Sequence, residues 1–294
     1  MNERIAESEL ILNSRGAVYH LDVKPEELAP TVITVGDPDR VEQVSKHFDK
    51  VEGTYQHREF VTHTGYIGTK RISVVSTGIG TDNIDIVLNE LDALVNIDFN
   101  TRKIKKALTR LQIIRLGTSG ALQAHIPVDG FVVSSFGLGL DNLLTWYQLE
   151  HTAIEQALLA AFREQVQLQP GAARPVLTAA AQRLLAQFKD GFHTGITVTC
   201  PGFYAPQGRV LRGALSHPEL LEQLTAFRYE QHRITNFEME TAGIYGLGRV
   251  LDHDCLSIST IVANRIQQQF SKDGAAAVQR MIEKSLEVIA GLPD

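Results

Sequence analysis

An α/β fold is expected for this chain. Short β-branched apolar runs alternate with helix-spaced apolar patterns from end to end, as in strands joined by helices. Several of those runs are followed at once by a glycine-rich turn. Hydrophobic residues make up 44% and charged residues 21% of 294 residues, enough for a sizeable buried core. No repeat, low-complexity stretch or dividing linker interrupts the alternation, so residues 1–294 are read as one domain.

The elements follow in order. TVITV (31–35) reads as a buried strand and VEQVSKHF, after the turn GDPDR, as a short helix. RISVVST (71–77) is a second strand. A glycine-rich turn then leads into IDIVLNELDALV, where Ile84, Val87, Leu88, Leu91 and Val95 share one helical face and Asp82 or Asn83 is placed to cap. TRKIKKALTR (101–110) is expected as a solvated helix, and QIIRL (112–116) and FVVSS (131–135) as the third and fourth strands. Ala/Leu-rich helices are expected over 152–165 and 177–188, with LQPGAARP as the turn between them. GITVTC (195–200) and CLSISTIVA (255–263) are further strands. A last helix over 273–291 presents Val278, Met281, Ile282, Leu286 and Ile289 on one face.

Composition excludes several classes. The net charge of −6 argues against nonspecific nucleic-acid binding, which needs a field of Lys and Arg, although a few local arginines can still hold a small anion. Cys200 and Cys255 are far apart with no C-x-x-C, so no disulfide framework or thiolate metal site is expected. The acidic start lacks a signal-peptide core and no run of about 18 apolar residues occurs, so a cytoplasmic protein without a membrane span is expected. The ten histidines show no metal-ligand spacing, and the G-x-S-x-G elbow is absent.

Four segments carry chemistry. In Gly36-Asp37-Pro38-Asp39-Arg40 a glycine, a helix start and a planar cation suit an anion, but alone the segment is read as an ordinary turn with a surface arginine. Gly78-Ile79-Gly80-Thr81-Asp82-Asn83 imitates a dinucleotide fingerprint, yet Asn83 replaces the third glycine and would crowd the helix–strand contact. It is kept as a glycine-rich turn near a ligand. Arg115-Leu116-Gly117-Thr118-Ser119-Gly120 places an arginine at the carboxyl end of a buried strand, where a lone charge is costly. A bound phosphate and a structural salt bridge explain it equally well, with Thr118 and Ser119 as hydroxyl donors. Phe237-Glu238-Met239-Glu240 puts two carboxylates at the start of an apolar helix, which suits either the helix dipole or a sugar diol.

Taken together, the ordered segments GDPDR, HREF, STGIG, RLGTSGAL, FYAPQGR, FEMET and VANR resemble the nucleoside phosphorylase-I family, and FYAPQGR resembles the pyrimidine loop of its uridine phosphorylases. The resemblance runs from about His20 to Arg265. It implies a three-layer α/β/α sandwich around a mixed, partly barrel-like sheet. It also implies a pentosyltransferase of nucleoside salvage that cleaves uridine, with deoxyuridine and thymidine as further candidates, to uracil and ribose 1-phosphate. Phosphate, a co-substrate, is assigned to Gly36, Arg40, Arg115 and Thr118, with Arg58 reaching in from a neighbouring subunit. Ribose is assigned to Met239 and Glu240, with Glu238 nearby and His20 contributed across a dimer interface. The base is assigned to Phe203, Gln207 and Arg209, with Arg265 supporting Arg209. Arg115, Arg209 and Glu240 are the residues expected to act in catalysis.

The chemistry agrees with that set. Phosphorolysis proceeds through a ribosyl cation-like state with a departing base anion, which positioning and preorganised electrostatics can serve without a covalent nucleophile. No metal or cofactor is expected. Thr81, Asp82 and Asn83 stand where bacterial members carry small residues, which argues against the potassium site of some relatives although Glu59 is present. Ala205, Pro206 and Gly208 depart from the usual base loop, and the segment 96–109 is longer than in compact bacterial members. A homodimer is the expected minimal unit, with a hexamer left open. The alternatives are a purine phosphorylase or nucleosidase on the same fold, and an inactive nucleoside-binding protein. Against the first, purine members carry an aspartate where this chain has Asn264, a side chain that cannot act as an acid.

Overall fold

The computed structural model describes residues 4–169 and 171–293, so Pro170 of the expected LQPGAARP turn lies outside them. β1 (Thr31–Val35) is buried at every position, as a parallel strand covered on both faces must be. It lies between two parallel neighbours, β4 (Lys70–Ser76) and β7 (Gln112–Ala121). Beyond β4 the antiparallel pair β3 (Phe60–Ile67) and β2 (Lys50–His57) carries the sheet to its edge. On the other side of β7 come β13 (Asp254–Asn264), β8 (Phe131–Gly139), β10 (His193–Thr199) and β12 (His232–Glu238). β12 then pairs back onto β7 through Asn236 opposite Ala121 and Phe237 opposite Gly120. Five strands therefore close on themselves while the β1 side stays open, giving a mixed, partly barrel-like sheet. The short strands β9 (Val176–Ala179), β11 (Arg228–Tyr229) and β14 (Gln269–Phe270) add to this sheet.

Helices flank it: α1 (Asp39–Ser45), α2 (Thr81–Asn96), α3 (Ala153–Gln165), α4 (Gln182–Leu185), α5 (Leu220–Ala226), α6 (Thr241–Val250) and α7 (Gly274–Ala290). α2 buries Ile84, Val87, Leu88 and Leu91, and α7 buries Val278, Met281, Ile282, Leu286 and Ile289, the faces their spacing predicts. α6 is buried from Thr241 to Gly248, which fits its lack of charge up to Arg249. Among the described residues no helix is long and apolar enough to cross a membrane.

Four expectations need correction. The stretch 101–110 is not a helix: Lys103–Ile104 (β6) pairs with Ile97–Asp98 (β5). Tertiary bonds override its local preference, because buried Arg102 donates to the carbonyls of Ile5, Ala6 and Leu10. The expected helix over 177–188 shrinks to α4, because β9 pairs with β8 instead. Neither Asp82 nor Asn83 caps α2; the N-cap is Gly80, whose φ of 99° favours glycine. The third strand does not stop at Leu116 but runs to Ala121, so Arg115 sits mid-strand rather than at its end.

Candidate active site

A cavity of about 660 Å³ opens at the carboxyl ends of β1, β4 and β7, within the range of small-molecule sites. One end is cationic. Arg40, in the first turn of α1, reaches toward β7 and donates to the Leu116 carbonyl at 3.4 Å. Burial, then the nearby Arg115 charge, push its guanidinium below the ordinary arginine value. A bound anion would relieve both effects. Gly36, Asp37, Pro38 and Thr118 line the same end.

Arg115 is held differently. Its side chain is buried, and Nη2 lies 2.5 Å from a Glu240 oxygen and 3.3 Å from a Glu238 oxygen. Burial alone would lower the guanidinium, but Glu238 and Glu240 outweigh it and raise it above its ordinary value. Gly117, two residues on and on the same side of β7, is what leaves room for that guanidinium.

The carboxylates divide their work. Glu238 ends β12 and Glu240 is the N-cap of α6, so the helix begins after the FEME segment rather than within it. Glu238 has both oxygens engaged: Thr199 Oγ1 donates at 2.7 Å, and the Glu240 and Thr241 amides each donate at 2.9 Å. It fixes the chain beneath Glu240. Burial raises its carboxyl above the usual range, against the pull of Arg115. Glu240 accepts from Arg115 and from the Gly80 amide at 2.8 Å. The Gly78-Ile79-Gly80 turn, a wall of the cavity, therefore also aims a carboxylate into it. Met239 lines the cavity between them.

The other end is built by a loop. Phe203, Gln207 and Arg209 line it, with the Arg209 guanidinium 3.8 Å from the Phe203 ring centroid. Arg209 Nη1 donates to the Phe203 carbonyl at 2.7 Å and to Gln207 Oε1 at 2.6 Å. Burial first, then the Arg265 charge, hold Arg209 below the ordinary arginine value. Arg265 does not bond Arg209. It donates to the carbonyls of Gln207 and Gly208, at 2.8 and 3.4 Å, so it pins the loop backbone from outside the cavity lining. Asn264 also lies outside: it is fully buried, donates to the Gln123 and Ile126 carbonyls, and accepts from the Ile266 and Gln267 amides.

The Phosphorylase superfamily profile matches residues 30–290. The chain belongs to the phosphorylase superfamily. It is 29% identical over 292 residues to a uridine phosphorylase of Thermococcus kodakarensis, covering 99% of this chain and 93% of that one. A Trypanosoma brucei nucleoside phosphorylase, described as showing uridine phosphorylase activity, superposes with a TM-score of 0.88 at 28% identity. The match covers 97% of this chain and all of that one. A purine nucleoside phosphorylase of the DeoD type from Hahella chejuensis is 25% identical over 278 residues, covering 94% of this chain and 99% of that relative.

Within this phosphorylase fold, two further residues assigned by resemblance lie, like Arg265, outside the cavity lining. His20 is seated on Glu90, with Nδ1 2.7 Å from Oε1. Arg58 is exposed at the β2–β3 turn with φ 54°, its guanidinium 5.8 Å from the Tyr19 ring, while its neighbour Glu59 lines the cavity mouth. Among the described residues no cluster of three or more His, Cys, Asp or Glu could hold a metal ion. The exposed Phe270 on β14 lines the cavity from outside every sequence motif, whereas Ile79, Val262 and Ala263 fall within STGIG and VANR without polar chemistry of their own. Phe237 could have been read from FEMET, where it precedes the carboxylates.

Proposed function

We propose that this chain is a phosphate-dependent uridine phosphorylase, with inorganic phosphate as co-substrate. One observation carries the reading: a single cavity joins an arginine end, a carboxylate between, and an aromatic–amide–arginine end. Arg40, Arg115, Thr118 and the backbone at Gly36 hold phosphate. Glu240 and Met239 hold the ribose, with Glu238 as the positioning residue behind them. At the base end, the Gln207 amide donates to a uracil carbonyl, and its oxygen, already bonded by Arg209, keeps a second lone pair for the N3–H. Arg209 faces the remaining carbonyl, which gains negative charge as the glycosidic bond breaks, and so stabilises the transition state more than the ground state.

The minimal active unit is a dimer, in which His20 and Arg58 complete the partner's cavity. This assignment supplies a task for two side chains that stand outside their own. The purine alternative loses its acid, because all the bonding capacity of Asn264 is spent on backbone groups. A panel of uridine, deoxyuridine, thymidine and inosine, with and without phosphate, tests the proposal. The expected result is uracil and ribose 1-phosphate only when phosphate is present. Free ribose in phosphate-free buffer would mean a hydrolase, and no product under any condition would mean a binding protein.

A further inference from the structure

A second cavity, of about 610 Å³, lies on the α3 side of the molecule, and no Asp or Glu lines it. In a chain of net charge −6 that is a local reversal of sign. Arg163 and Arg174 line it and are exposed, and neither has a hydrogen-bond or acidic partner among the described residues. His151 lines it too, with Nε2 buried and unpartnered. Two exposed guanidiniums without an acidic partner, on a wall that carries no carboxylate, leave this cavity cationic and suited to an anionic acceptor. Arg163 and Leu159 are four residues apart on α3 and so share a face. Leu144 and Leu149 add to the apolar surface.

We infer that this cavity binds a phosphate monoester of nucleotide size, with its phosphoryl group between Arg163 and Arg174 and its body against the leucines. Two guanidiniums match a dianion with several oxygens better than a monoanion, and their planar forks suit phosphate geometry. The volume exceeds the needs of a bare ion and falls in the range of whole-ligand sites. Among the described residues, nothing that lines this cavity also lines the one with Arg40 and Arg115, so occupancy of one does not depend directly on the other.

The chain's single tryptophan reports on it. Trp146 is exposed and stands between Thr145 and Tyr147, both of which line the cavity. Titration of the whole enzyme with uridine 5′-monophosphate should change Trp146 fluorescence to saturation. The response should persist in Arg40→Ala and Arg209→Ala, which impair the two ends of the other cavity. Arg163→Ala and Arg174→Ala should each weaken binding at least about tenfold, the scale of a lost charge-assisted contact. Both side chains are exposed and unpaired, so the variants should keep wild-type thermal stability and wild-type uridine turnover without the nucleotide. A response lost in Arg40→Ala but kept in Arg163→Ala/Arg174→Ala would overturn the inference. So would an equal response to inorganic phosphate alone, since the apolar wall would then bind nothing.

Discussion

Adding one methyl group at Gly117 should disable the arginine end, the proposed phosphate site, without touching a ligand. Gly117 lies in β7 with an ordinary strand backbone, so alanine brings no conformational strain. A Cβ built there would lie 2.7 Å from Arg115 Nη2, and closer still to Nη1 and Cζ. An arginine head on the surface would swing aside at little cost. Here the head is buried, pinned 2.5 Å from Glu240 and 3.3 Å from Glu238, and leaving those carboxylates exposes them to uncompensated burial. Breaking such a pair costs about 3–5 kcal/mol, which for a chain of this size lowers the melting temperature by about 2–4 °C per kcal/mol. Displacing one preorganised donor should also lower turnover about 100- to 1000-fold. Thermal unfolding and phosphate-dependent uridine kinetics measure both effects. The decisive comparison is Gly117→Ala in an Arg115→Met background, where the methyl has no guanidinium to meet and should cost less than about 1 kcal/mol. Equal losses in both backgrounds would refute the steric coupling, as would near-normal turnover of the single variant.

Arg209→Ala should lower turnover as well as binding, about 100- to 1000-fold in rate, while Gln207→Ala should mainly narrow the gap between uridine and inosine; near-normal Arg209→Ala turnover removes the main support for base recognition. Mixing inactive Arg58→Ala with inactive Arg115→Ala subunits should restore part of the activity, since one cavity of the mixed dimer is then intact; no recovery after confirmed subunit exchange would count against sharing. Stability should also fall with acid below pH 6.5. Burial, then His125, hold His193 below its ordinary 6.5, and burial, despite Glu42, does the same to His63. Their folded values lie under the unfolded one, so the unfolded chain binds more protons in this window and stability is lost as pH drops through it. His193→Asn should flatten that slope in melting temperature against pH, and an unchanged slope would show that His193 does not contribute.

The sequence reveals the site better than it reveals the fold around it. Motifs such as GDPDR and RLGTSG need particular side chains at fixed offsets, and the structure brings Arg40, Arg115, Thr118 and Glu240 to one cavity. The alternation of β1, α1, β4, α2 and β7 is equally legible, because each strand contains a short β-branched apolar run. β2 escapes such reading: its positions are exposed or half-buried, so no apolar run betrays it. Residues 101–110 mislead for the opposite reason. Their basic residues read as a solvated helix, yet Arg102 is buried by three carbonyls from the chain's first turns, contacts at a separation no local pattern encodes. The same holds for Arg265. Its position in VANR suggests a partner for Arg209, whereas its guanidinium ends on backbone carbonyls of the loop.

The two ends of the cavity differ in how firmly they are built, and that difference bears on specificity. At the arginine end, Arg115 is carried by a central strand between β1 and β13, its charge balanced by carboxylates that are themselves bonded to the α6 and glycine-turn amides. A change there must disturb several buried bonds at once. At the loop end, Phe203 and Arg209 are partly exposed and hold each other through stacking and one carbonyl, with Gln207 bonded to Arg209 and the backbone held by Arg265. On the proposed assignment, a scaffold with a rigid arginine end and a more exposed loop end can change its nucleobase while keeping its chemistry. That property fits a chain aligning along nearly its whole length with relatives named for uridine and for purine nucleosides alike.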